Sequence, residues 1–138
     1  MKKIKATDKT VNLLDTCQFI KGTIGDENSP GNCIVHYSLV VVQEESKVSG
    51  IVEINPYVSN INSIKLNVAG NIRDVGYGNL SKIITLNGEY SVPVSSQNMG
   101  SYTQFFSAYL DVDNKWNGFG GFSYGNERIE NVSVTNKN

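Results

Sequence analysis

The sequence contains very few of the residues from which catalytic and metal sites are usually built. It has one histidine, His36, and two cysteines, Cys17 and Cys33, among 138 residues. A general base needs a neighbouring nucleophile or carboxylate in a cleft, and the stretch around His36 supplies neither. One histidine and two distant cysteines cannot form a zinc site, which needs a cluster of ligands. The sequence therefore predicts no catalytic residue, no metal site and no cofactor.

Long apolar runs and concentrated charge are also absent. The charged start, Met1 to Lys5, leads into polar residues, so a signal peptide is not evident. No apolar run approaches the roughly 18 residues that a membrane-spanning helix needs. The 12 basic and 13 acidic residues are mixed along the chain and give a net charge of −1, which argues against nucleic acid as a partner. We expect a cytoplasmic protein without a membrane span.

Helical periodicity is confined to residues 7–14, a stretch too short to form a stable helix alone. We expect residues 1–14 to be a poorly ordered segment or a short helix. A single β domain is predicted over residues 15–135, followed by a C-terminal tail at 136–138. In a reducing compartment the two cysteines are expected to be buried thiols, and a disulfide would require that their strands be neighbours.

Apolar and polar residues alternate with period two through most of the chain. In residues 64–72 and again in 84–92, one face is apolar and the other carries lysine, asparagine, threonine or glutamate. Such strands are typical of antiparallel sheets with one dry face. The short connections predict an all-β, single-domain antiparallel meander, either an up-and-down β-barrel or a barrel-like β-sandwich. Eight strands are expected, at residues 15–24, 33–43, 47–55, 64–72, 84–92, 103–113, 116–124 and 128–134.

Glycines recur on the apolar face of these strands. Five positions share this feature: Gly50, Gly70, Gly88, Gly118 and Gly120. Glycine inside a strand is tolerated where a sheet coils sharply or another group approaches the backbone. The pattern favours a barrel and suggests space within it. Our first hypothesis is a non-enzymatic protein that binds a small apolar or amphipathic ligand in an enclosed cavity rimmed by Tyr90, Phe106 and Trp116.

A second set of aromatic residues lies on the opposite, polar face. Phe105, Tyr109 and Phe119 alternate with polar residues such as Asn117, a mixture that glycan-binding and protein-binding surfaces use. Our second hypothesis is an interaction module that uses this face, for a glycan, a protein or a second copy. Cross-strand aromatic pairs that only stabilise the sheet explain the same pattern. A third hypothesis is an enzyme of the small-barrel cyclase or isomerase kind, with His36 or Glu53 as its polar group.

Several short motifs, in their order and spacing, resemble one bacterial family, the domain of unknown function 1842. The motifs are Lys47-Val-Ser-Gly50, Asn55-Pro56, the aligned glycines, Trp116-x-Gly118, Tyr124 and Ile129-Glu-Asn-Val-Ser-Val134. The resemblance covers about residues 15–135. The chain departs from the family pattern at Tyr57-Val58-Ser59, where the family is richer in proline, and in a shorter loop at Gly31-Asn32. Because the family has no assigned activity, the resemblance implies a bacterial domain but no catalytic residue or ligand.

Overall fold

A computed structural model describes residues 17–26, 33–56, 63–76, 81–94 and 100–138. These residues are almost entirely β-structure, with one short 3-10 turn at Gln43–Glu45 between the second and third strands. The strands are β1 (Cys17–Ile24), β2 (Ile34–Val42), β3 (Lys47–Asn55), β4 (Ile64–Asp74), β5 (Lys82–Pro93), β6 (Ser101–Val112), β7 (Gly118–Tyr124) and β8 (Glu127–Asn136). The helix-like stretch at residues 7–14 lies outside the described residues. None of the helical turns in the described ranges is long and apolar enough to cross a membrane.

The eight strands form an antiparallel meander that closes into a barrel. Each strand pairs with the next along the chain, and β8 returns to pair with β1. The predicted all-β meander is therefore confirmed, and the structure is a barrel rather than a sandwich. Pairing of the first strand with the last shortens the exposed strand edges, which are sites of edge-to-edge aggregation.

The seam between β1 and β8 is short and is extended by the last residues of the chain. Three residue pairs form it, from Gly22 opposite Asn136 to Ile24 opposite Val134. Beyond them the Lys137 amide donates to the Lys21 carbonyl at 2.8 Å. The Asn138 side chain accepts from the Lys21 amide at 2.7 Å and donates to the Phe19 carbonyl at 3.0 Å. Residues 136–138, which the sequence predicts as a tail, are thus hydrogen-bonded to the sheet.

The barrel has two chemically different ends. Odd-numbered strands finish at one end, which we call the Cys33 end, and even-numbered strands finish at the other, which we call the Trp116 end. Cys17 lies opposite Val42 at the Trp116 end and is half-buried, whereas Cys33 is buried at its own end. Both cysteines are free. The expectation of a buried thiol thus holds for Cys33 only, because Cys17 begins an outward-facing row.

Apolar side chains fill the barrel and close its Trp116 end. Trp116 is 2% exposed, and its ring lies 6.5 Å from that of Tyr37, measured between centroids. At the same end Lys82 Nζ and Asp74 Oδ1 form an ion pair at 3.0 Å. The buried core comprises Ile20, Ile24, Cys33, Val35, Tyr37, Leu39, Val41, Val48, Val52, Ile54, Leu66, Val68, Ile72, Ile84, Leu86, Phe106, Ala108, Leu110, Val112, Trp116, Phe122, Tyr124 and Val134.

At the inward glycines, the backbone of the neighbouring strand lies so close that a side chain would not fit. A Cβ atom on Gly70 would collide with the Thr85 carbonyl oxygen, and the other four inward glycines face neighbouring carbonyls in the same way. A small eight-stranded barrel needs this sharp coiling, so the predicted coiling is confirmed. The glycines leave no space at these positions, however, because the neighbouring backbone occupies it. Any ligand site must have another origin.

Candidate functional site

The barrel wall opens between β4 and β5 at the Cys33 end. The two strands pair from Asp74 opposite Lys82 up to Val68 opposite Gly88. Above that point residues 64–66 of β4 continue along β3 and residues 89–93 of β5 continue along β6. Within the described part of the chain, these upper halves do not pair with each other. They border a cleft of about 770 Å³, a size typical of small-molecule sites.

The cleft has an apolar floor and a polar outer rim. Ile64, Leu66 and Val92 line it from inward-facing positions, and Leu66 belongs to the buried core. Lys65 and Glu89 line it from outward-facing, exposed positions. The cleft therefore connects solvent with the side of the hydrophobic core.

Tyr90 links the cleft to a second group of polar side chains inside the Cys33 end. It lines the cleft, and its hydroxyl donates to Gln104 Oε1 at 2.8 Å. Across the same end, Cys33 Sγ and Tyr124 Oη form a hydrogen bond of 3.4 Å. We call Cys33, Tyr90, Gln104 and Tyr124 the polar cluster. Each member occupies an inward-facing position, where the other strands carry apolar side chains.

The titratable members of the polar cluster are two phenols and a thiol, which are neutral at pH 7, and burial moves each pKa further above that pH. It raises the pKa of the Tyr90 phenol, with a further contribution from Tyr102. It also raises the pKa of Tyr124, and the hydrogen bond with Cys33 adds to the rise, followed by smaller contributions from Glu127 and Tyr90. Burial likewise raises the pKa of the Cys33 thiol, against the opposing effect of its bond with Tyr124. All three groups are thus protonated and uncharged at neutral pH.

Of the three residues predicted to rim an enclosed cavity, the structure brings two to the same half of the barrel. Tyr90 lines the cleft, and Phe106 lies opposite Gly88, two residues from Tyr90, where it is 1% exposed. Phe106 belongs to an aromatic row in which Phe122 stacks on Phe106 and on Tyr124, with centroid separations of 6.5 and 6.2 Å. Trp116 lies at the opposite end of the barrel. Neither Phe106 nor Trp116 is among the described residues that line the cleft.

The four residues predicted to form an outer interaction surface are spread over the β6–β7 face. Phe105 and Phe119 are 69% and 60% exposed. Phe119 lies opposite Asp111, six residues along β6 from Phe105, so about 20 Å separates the two phenyl-bearing positions. The Asn117 side chain accepts from the Asn136 amide at 2.9 Å, which ties the β6–β7 turn to β8. The structure therefore does not gather these residues into one patch.

Tyr109, the fourth of these residues, lies in a shallow outer groove. Its ring covers Gly121, where an added Cβ atom would be 2.9 Å from Tyr109 Cε1. The groove has a volume of about 320 Å³ and is lined by Tyr109 together with serines and the oppositely charged Arg128 and Glu130. An aromatic ring over a strand glycine stabilises the sheet by itself. Tyr109 thus has a structural role as well as a place in the groove.

His36 and Glu53 lie beside each other on the outside of the barrel. They are directly opposite across β2 and β3, and His36 is exposed. Glu53 accepts a hydrogen bond from Ser63 Oγ at 2.9 Å. Because both face outward, neither can act on a molecule held in the barrel interior. In the described ranges, no three histidine, cysteine, aspartate or glutamate side chains form a group that could hold a metal ion.

Sequence reasoning missed most of the polar cluster and the opening beside it. Gln104 carried a usable signal, because it is a polar residue on the inward face that Phe106, Ala108 and Leu110 continue. The opening between β4 and β5 left no such signal in the sequence. Both strands keep their alternation through it, and alternation reports which face is buried rather than which strand is adjacent.

One comparison with known proteins identifies a relationship. The model of the family described as "Domain of unknown function (DUF1842)" matches residues 18–129, which covers most of the barrel from β1 into β8. No curated protein matches the chain.

Proposed function

The chain belongs to the family described as Domain of unknown function (DUF1842), and from the geometry of the site we propose that it binds a small amphipathic molecule in the cleft between β4 and β5, without catalysing a reaction. The parting of these two strands above Val68 and Gly88 carries the proposal. It would provide a way into the barrel, beside strands whose inward-facing side chains reach the core.

The chemistry of the cleft supports an amphipathic occupant. An apolar part would contact Ile64, Leu66 and Val92, and burial of apolar surface contributes about 25 cal/mol per Å². A polar part would lie near the Tyr90 hydroxyl, which also lines the cleft. Since Trp116 closes the opposite end, the ligand would enter from the Cys33 end.

A charged side chain placed in the cleft tests this proposal. We expect Val92→Lys to weaken binding of the neutral fluorescent probe N-phenyl-1-naphthylamine by about tenfold, since covering the half-buried Val92 completely would contribute at most about 1.5 kcal/mol and the ammonium also resists desolvation. Fluorescence titration measures the change. Val42→Lys is the control, because Val42 is also a half-buried strand valine but faces outward at the Trp116 end. Equal binding by Val92→Lys and the wild type would contradict the proposal.

The outer groove supports a second candidate function, recognition of a glycan or a protein. The observation that favours this function is the groove of about 320 Å³, which Tyr109, Arg128 and Glu130 line together. An aromatic ring beside paired charges suits a polar partner. In this case Tyr109→Ala would abolish binding of the partner while probe binding in the cleft continued.

A further inference from the structure

We propose that the ligand of the β4–β5 cleft carries an uncharged polar group, of the alcohol or amide kind, rather than a carboxylate or an ammonium group. This inference rests on the proposed function and specifies the chemical class of its ligand. It depends on three features of the Cys33 end: the polar groups inside it, the charges at its rim, and the hydrogen bonds that the inner groups can still make.

The polar groups inside this end are all neutral. Tyr90, Gln104, Tyr124 and Cys33 are a phenol, an amide, a phenol and a thiol, joined as two hydrogen-bonded pairs. Burial raises the pKa of each of the three titratable members and so keeps them protonated. A carboxylate brought among them would lose its hydration without gaining a cation, which is unfavourable.

The charges at the rim do not select a charged ligand either. Lys65 and Glu89 line the outer side of the cleft with opposite signs, and both are exposed. Lys65 lies directly opposite Glu53 on β3, so charges of opposite sign are adjacent there. Glu127, opposite Tyr124 at the end of the barrel, is also exposed. Because Glu127 is in contact with water, its interaction with a ligand charge of either sign is weakened, so it selects neither an anion nor a cation.

The Tyr90–Gln104 pair can both give and receive further hydrogen bonds. Tyr90 uses its proton on Gln104 Oε1, so its oxygen can still accept, and the amide group of Gln104 carries donors of its own. Tyr90 lines the cleft, whereas Gln104 is not among the described lining residues and is bonded to Tyr90. A hydroxyl or amide on the ligand both donates and accepts, and thus matches the Tyr90 oxygen and the Gln104 amide bonded to it. A carboxylate only accepts and a quaternary ammonium does neither.

Three amphiphiles with the same alkyl chain test the inference: decanol, decanoate and decyltrimethylammonium. Each is titrated, below its micelle concentration and at pH 7.5, against full-length protein loaded with N-phenyl-1-naphthylamine, and displacement of the probe is measured. We expect decanol to bind about tenfold more tightly than either charged amphiphile. Tyr90→Phe and Gln104→Leu should each weaken decanol about fivefold, the effect of one hydrogen bond, with each decanol affinity calculated from the probe affinity measured for the same variant. Tyr109→Phe, an outer-face tyrosine, is the control and should change neither affinity.

The outcomes separate failure of the inference from failure of the proposed function. If decanoate binds as tightly as decanol, or if Lys65→Ala specifically weakens decanoate, the ligand is an anion and the inference is wrong while the cleft remains the site. If decyltrimethylammonium binds most tightly, the inference is wrong in favour of a cation. If the probe itself does not bind in the cleft, the proposed function fails, and the inference fails with it.

Discussion

Among individual residues, Tyr37 carries a buried hydroxyl without a hydrogen-bond partner in the described part of the chain. It points into the barrel from β2, is 2% exposed, and covers Gly22, where a Cβ atom would collide with the Tyr37 hydroxyl. Within the described residues, that hydroxyl has no hydrogen-bond partner. Burial of an unpaired hydroxyl costs on the order of 1–3 kcal/mol relative to a paired one. The ring fills the space above the glycine, while the hydroxyl is destabilising.

We expect Tyr37→Phe to raise the free energy of unfolding by about 1 kcal/mol, because the change removes the unpaired hydroxyl and keeps the ring. Urea denaturation at pH 7 measures the difference. Tyr109→Phe, on the outer face, is the control and should change stability by less than about 0.5 kcal/mol. A loss of stability in Tyr37→Phe would show that the hydroxyl makes a stabilising hydrogen bond.

The same residue predicts how stability depends on alkaline pH. Burial raises the pKa of the Tyr37 phenol well above its ordinary value. Above pH 10 the unfolded chain loses this proton while the folded chain keeps it, so stability falls as the pH rises. The slope for one group is about 1.4 kcal/mol per pH unit. We expect Tyr37→Phe to reduce the decline between pH 10 and 11, measured by urea denaturation, and an unchanged decline would contradict this account.

At the scale of elements, the sequence predicts the existence of each strand more accurately than the residues at which it begins and ends. The alternation predicts β3 at its observed bounds, and β4 and β5 within a few residues of theirs. The prediction that a strand starts at Trp116 is wrong by two residues. Trp116 adopts a positive φ of 65° in the turn before β7. The Asp113 side chain stabilises this turn by accepting hydrogen bonds from the backbone amides of Lys115 and Asn117. Alternation alone does not report such local capping.

The coiling of the sheet depends on its inward glycines, and Gly70 tests this dependence. Gly70→Ala would place a methyl group against the Thr85 carbonyl, so the strands must separate. We expect the free energy of unfolding to fall by about 2–3 kcal/mol, the typical cost of overpacking, as measured by urea denaturation. Ala69→Ser is the control, because Ala69 immediately precedes Gly70 but faces outward. It should change the free energy of unfolding by less than about 0.5 kcal/mol. A similarly small effect of Gly70→Ala would mean that the strands separate at little cost.

At the scale of the whole molecule, closure of the barrel follows from the meander, but its opening does not. Eight strands with short connections pair in sequence order, and closure removes the two edges that remain. The parting of β4 from β5 depends on how those two strands diverge in space, and neither strand changes its pattern where pairing stops. Tyr90 was predicted as a ligand residue from its inward position, yet its partner Gln104 and the cleft beside it required the structure.

The most direct test of the ligand site is a backbone NMR titration of ¹⁵N-labelled protein with N-phenyl-1-naphthylamine. The account predicts that amide shift changes concentrate in residues 64–67 and 89–92, in the two strand segments that border the cleft. Residues 107–109 and 121–123, beside the outer groove, should keep their shifts. Changes confined to the outer groove, or a saturable binding signal with none at the β4–β5 opening, would contradict the proposal that this opening is the binding site.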